Sequence, residues 1–189
     1  MTGRMEYVVR VAEEKDMERL TEIYAHYVEN THVSFEYVPP SVEEFTGRYV
    51  EIIKKFPYLV AEYAGEIVGY AYANTFKVRK AYEWCVETTV YLDRNFQGKG
   101  AGTALYDVLE GYLKEQNILN LYACISYPYP LSIDFHEKRG YKQIAYLEEC
   151  GYKFGIWHDM VWLEKIIGKH TLGVKPIVPF AEYRLTVNV

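Results

Sequence analysis

Seven residues, Gln97-Gly98-Lys99-Gly100-Ala101-Gly102-Thr103, do most to restrict what this chain can fold into. Trp84 to Leu92, rich in β-branched and aromatic residues, precedes them and reads as a strand. Leu105, Tyr106, Leu109, Tyr112 and Leu113 follow at helical spacing. A glycine loop between a strand and a helix is an anion nest. The glycines let backbone come close, and the first free amides of the helix aim at one point. A phosphate or pyrophosphate is the natural guest. A Rossmann loop would need a third glycine where Thr103 stands, and the P-loop spacing is absent. The bland alternative is a glycine-rich turn with Lys99 solvated.

The flanking pattern predicts a mixed sheet with helices on both sides. Tyr7 to Val11 reads as a strand. Met17, Leu20, Ile23, Tyr24, Tyr27 and Val28 make the apolar stripe of a helix beginning near Asp16. Ser41 and Glu44 form a capping box, so a second helix runs from there to about Phe56. Tyr58 to Tyr63 and Ile67 to Asn74 are strands joined by the turn at Ala64-Gly65-Glu66. Leu119 to Ser126 is a further strand. Pro128 and Pro130 precede a short helix over Ser132 to Arg139, ended by Gly140. Gln143 to Cys150 and His158 to Ile167 are predicted as closing strands with Gly151 to Trp157 as their loop. The tail from Gly168 ends in a strand-like stretch, Glu182 to Val189, expected as a dimer arm or an extra edge strand.

Composition narrows the setting. The 189 residues suit one domain, 1–167, with an extension over 168–189. Lys plus Arg is 21 and Asp plus Glu is 26, a net charge of −5, which argues against nucleic acid and anionic membranes as partners. No apolar run is long enough to span a bilayer, and no secretory leader is read. Cys85, Cys124 and Cys150 stand far apart, which predicts reduced thiols and a cytoplasmic protein. The five histidines lack metal-ligand spacing, so no metal is expected. Tyrosine is abundant, 20 residues, and suits either a wet groove or core packing.

Gln97-x-x-Gly100-x-Gly102 after a strand resembles the acetyl-CoA loop of GNAT-type N-acetyltransferases. Four further stretches resemble the phosphinothricin N-acetyltransferase-like branch: Phe76 to Trp84, Val86 to Leu92, His136-Glu137 before Gly140-Tyr141, and Gly151-Tyr152-Lys153 to Trp157-His158-Asp159. The resemblance spans about residues 7 to 167.

It implies a splayed central sheet and direct transfer of acetyl from acetyl-CoA to a primary amine, on a homodimer. Pantetheine is expected against the backbone of Val90, Tyr91 and Leu92, with an N–H near Tyr91 polarising the thioester carbonyl. Gly98, Lys99, Gly100, Ala101, Gly102 and Thr103 would hold the pyrophosphate, and Ser132 would touch the CoA arm. Glu87 is the implied general base and His136 the implied proton donor to the leaving thiolate. Lys77 and Arg79 are expected to grip an acidic group of the substrate, with Phe35, Tyr82 and Thr89 nearby. The acceptor is then a small amino acid such as phosphinothricin, methionine sulfoximine or methionine sulfone. One position departs from the family: Tyr129 stands where an asparagine usually bonds the CoA arm. It leaves open a non-catalytic acyl-CoA sensor as the alternative.

Overall fold

The computed structural model describes residues 5–187. In chain order the elements are β1 (Val8–Val11), α1 (Met17–Asn30), α2 (Val42–Lys55), β2 (Tyr58–Tyr63), β3 (Glu66–Thr75), β4 (Cys85–Leu92), α3 (Ala101–Glu115), β5 (Asn120–Tyr127), α4 (Pro130–Lys138), β6 (Lys142–Lys153), β7 (Ile156–Ile166) and α5 (Phe180–Val187). The strands form one seven-stranded sheet in the order β1-β2-β3-β4-β5-β7-β6. β4 and β5 are its parallel pair.

Strand alternation sends apolar side chains to both faces. Leu59, Ala71, Val86, Leu121 and Val161 pack under α3, whose Leu105, Leu109 and Leu113 are fully buried. Tyr58, Val60 and Tyr70 face the other way, against α1 and α2. The α1 stripe predicted from spacing is the buried stripe observed. Ser41 caps α2 as expected, its hydroxyl accepting from the Glu44 N–H.

Two expectations fail. The predicted Gly151–Trp157 loop is mostly strand, because β6 runs to Lys153 and turns back through Phe154 and Gly155. Both turn residues have positive φ, 54° and 81°, the geometry of a type I′ hairpin. Phenylalanine seldom takes that conformation, so the sequence concealed the turn. The tail does not end in a strand. Phe180–Val187 is helical, and residues 188–189 lie outside the described part. Fully buried Phe180 packs edge-on to Tyr112 of α3, so among the described residues the tail lies against a helix and adds no sheet edge, and the dimer arm stays an expectation.

Candidate active site

The sheet divides at one point. β4 and β5 pair only over Cys85–Glu87 and Asn120–Tyr122, and beyond Glu87 they part. The Asp93 N–H bonds Val68 O of β3, so by alternation the backbone of Tyr91 also points into that ladder. Val90 and Leu92 point into the fork instead. This corrects the expectation for Tyr91: its N–H is committed to β3, and the N–H facing the cleft is that of Val90. The Leu92 carbonyl accepts from the Tyr27 hydroxyl at 2.6 Å, and the Leu92 N–H reaches the same oxygen at 3.3 Å.

Two cavities meet in this fork. The first is a trench of about 340 Å³ walled by Gly98, Gly100, Gly102, Thr103, Leu92 and Phe135. Gly98 and Gly100 have φ of 69° and 100°, and Gly100 is the N-cap of α3 with no side chain bonded over the helix end. The first amides of α3 therefore remain available to an anion. Lys99 and Ala101 contribute no side chain to the trench. The Lys99 carbonyl accepts from the Tyr7 hydroxyl, and Ala101 is fully buried. A pyrophosphate fits this loop.

The second cavity, about 390 Å³, is the acceptor chamber, and Glu87, Thr89, Phe35, Cys124, Ser126 and His136 are among its walls. Val33, Val90, Tyr129 and Ser132 line both spaces, which makes them the junction. Burial pushes the Glu87 carboxyl above its ordinary range, with Lys77 opposing. Such a group is a better base near neutral pH than a solvated glutamate.

His136 does not match its expected role. It is 2% exposed, with Nδ1 2.8 Å from the Ser132 carbonyl and Nε2 3.0 Å from the Tyr106 hydroxyl. A carbonyl only accepts, so Nδ1 carries the proton and Nε2 accepts from Tyr106. Burial lowers its pKa to about 4. At neutral pH the ring is uncharged and has no imidazolium proton to give. It instead orients Ser132 and Tyr106.

The cationic pair is also separated. Lys77 Nζ lies 5.1 Å and 5.4 Å from the ring centres of Phe76 and Trp162, at the edge of the Glu87 field. Arg79 and Tyr82 sit on an exposed turn and do not line the chamber. Tyr24, Tyr27 and Gln97 line these spaces without a role assigned from the sequence, whereas Tyr129, singled out there, stands at the junction. Tyr24 and Tyr27 lie on the α1 stripe, where spacing alone reads them as core.

The chamber wall over residues 33–36 is fixed by close packing. A Cβ on Gly151 would stand 2.0 Å from Phe35 Cε2. Gly151→Ala therefore displaces Phe35. Overpacking costs about 1–3 kcal/mol, so KM for the amine is expected to rise roughly tenfold. Steady-state kinetics should show KM for the acyl donor unchanged.

A sheet forked beside a free helix N-terminus, with a half-buried carboxylate at the fork, suits a transferase whose group donor carries a phosphate-bearing arm. The model of the acetyltransferase (GNAT) domain matches residues 9–162, and the chain belongs to that family. It is 36% identical over 152 residues to a phosphinothricin N-acetyltransferase of Streptomyces viridochromogenes, covering 80% of this chain and 83% of the relative. It is 27% identical to an L-methionine sulfoximine/L-methionine sulfone acetyltransferase of Salmonella typhimurium, over 86% and 95% of the two chains. A crystal structure of a Sinorhizobium meliloti phosphinothricin acetyltransferase with AcCoA superposes with a TM-score of 0.86 at 33% identity, covering 93% of this chain and 99% of that one. The protein is an acetyl-CoA-dependent N-acetyltransferase. Among the described residues no His, Cys, Asp and Glu cluster suits a metal ion, and no helix is long and apolar enough to cross a membrane.

Proposed function

We propose that the enzyme acetylates the α-amine of a small amino acid of the phosphinothricin or methionine sulfone type. The names of its relatives support that class. The observation that carries the mechanism is the junction: Glu87 stands in a chamber joined to the trench through Val90, Tyr129 and Ser132.

Gly98, Gly100 and the first turn of α3 hold the pyrophosphate, and the fork edge at Val90 takes the pantetheine arm. Glu87 accepts a proton from the ammonium. The freed amine attacks the thioester carbon, a C–N bond forms, the C–S bond breaks, and the second proton lost by the nitrogen restores the hydroxyl that protonates the sulfur. The Val90 N–H faces the charge that develops on the carbonyl oxygen. The Tyr129 and Ser132 hydroxyls stand at the junction as proton donors to the departing sulfur. Burial raises the Tyr129 pKa, so its phenol stays protonated. Lys77, whose charge is felt at Glu87, is the cation offered to an acidic group of the acceptor. Phe35 and Thr89 shape the walls, while Arg79 and Tyr82 serve the substrate only from outside the cavity.

A thiol-release assay with acetyl-CoA and methionine sulfone tests the reading. Release is expected; CoA binding without release for any amine would favour the sensor, which no structural observation supports. The β6–β7 hairpin exposes Ile144, Leu147, Tyr152, Phe154, Ile156 and Trp157, an apolar edge suited to a second copy of the chain. A homodimer formed there should scatter light as twice the 22.2 kDa chain. Three unpaired cysteines fit the cytoplasm.

A further inference from the structure

The largest cavity described lies outside the trench and the chamber. It holds about 450 Å³ beneath α2, over β2 and β3, a volume within the small-molecule range of about 300–1,000 Å³. Its floor is a near-parallel stack of Tyr58, Tyr70 and Tyr72, with interplanar angles of 6° to 11°. Tyr58 and Tyr70 are 2% and 1% exposed, yet neither hydroxyl has a hydrogen-bond partner among the described residues. Neither oxygen is sealed in protein, so both open into the recess. With no protein partner, both hydroxyls are free to bond whatever fills the recess, water or a ligand group.

The recess and the acceptor chamber share a sheet face. Asn74 and Tyr72 line the recess, and their ladder partners Glu87 and Thr89 line the chamber. Tyr24 and Glu36 line both spaces. At the rim Arg48 and Lys55 are balanced by Glu36 and Glu51, with Arg48 paired to Glu36 at 2.7 Å. That balance favours an uncharged guest. Burial holds the three phenols protonated, as donors.

We propose that this recess is the distal part of the acceptor site and receives a long amino-acid side chain ending in an uncharged oxygen acceptor, bound by the Tyr58 and Tyr70 hydroxyls. The proposal rests on the amino-acid acetylation argued above. From Glu87 on β4 to Tyr58 on β2 is two strand spacings, roughly 10 Å. Methionine sulfone covers about one such spacing; a para-substituted phenylalanine covers about both.

The test compares 4-acetylphenylalanine with methionine sulfone on the wild type and on Tyr58→Phe/Tyr70→Phe, which keeps both rings. The ratio of kcat/KM for the two acceptors should fall about tenfold in the variant, through KM. Calorimetry on the CoA-loaded protein should show Kd for 4-acetylphenylalanine rising by the same factor. An unchanged Kd, or no binding of 4-acetylphenylalanine to the wild type, overturns the proposal. If methionine sulfone is acetylated while 4-acetylphenylalanine is ignored, the recess alone falls. If 4-acetylphenylalanine binds in a hydroxyl-dependent way and no amine is acetylated, the recess stands and the acetylation reading falls. Should the double variant not fold, the two single variants carry the same comparison.

Discussion

Glu87→Gln is expected to cut kcat about 100-fold while KM for acetyl-CoA stays unchanged. The amide keeps the shape of the side chain and loses the proton-accepting site. A hundredfold is about 2.7 kcal/mol. Deprotonating an α-amine of pKa about 8 at pH 7 costs about 1.4 kcal/mol, and a lysine-like amine of pKa about 10.4 costs roughly 4.6 kcal/mol. The defect should therefore be smaller for weakly basic acceptors and should narrow at alkaline pH. In the wild type the base works only when ionised, and burial raises its pKa. The acidic limb of kcat/KM should thus lie above the ordinary glutamate range. Lys77 holds that pKa down, so Lys77→Met should move the limb to higher pH. A limb that stays in place in both variants would remove Glu87 from the role.

Lys153→Met is expected to lower the melting temperature by roughly 6–12 °C. The Lys153 ammonium is 1% exposed and donates to three backbone carbonyls: Val28 at 2.6 Å, Thr31 at 2.9 Å and Ser34 at 2.6 Å. The first two lie at the C-terminal end of α1, where the helix dipole favours a cation. Methionine fills the space and leaves the carbonyls without a donor, at about 3 kcal/mol in total. For a chain of this size each kcal/mol shifts the transition about 2–4 °C. The same carbonyls hold the segment that carries Val33, Phe35 and Glu36 over the chamber, so the acceptor KM should rise as well. A variant with normal melting and a normal acceptor KM would show that this tie is dispensable. Differential scanning calorimetry with parallel kinetics reads both.

Local chemistry made much of the fold legible. The Ser41 cap, the α1 stripe and the glycine loop each announce an element through short-range spacing. The Phe154-Gly155 turn did not, because phenylalanine at positive φ is chosen by the hairpin and not by local preference. The tail helix was hidden for a related reason. Its folding depends on Phe180 reaching Tyr112, a contact no window of sequence contains. Glu87 and the loop glycines were readable as candidates through family resemblance. What resemblance misjudged was direction and environment. Strand parity turns the Tyr91 amide away from the cleft, and burial strips His136 of its charge. Arg79 lies on an exposed turn and does not line the chamber.

The place where β4 and β5 separate has a mechanical consequence. Glu87 is the last β4 residue held by strands on either side, while the Val90 amide three positions later faces a gap. Stiffness and vacancy thus adjoin within a single turn of pleat. The proton acceptor inherits the rigidity of a woven fabric, and the visiting coenzyme finds a loose selvedge to stitch itself onto. Any change that zipped the two strands one step further would cost the enzyme both anchorage for its cosubstrate and room for the reaction.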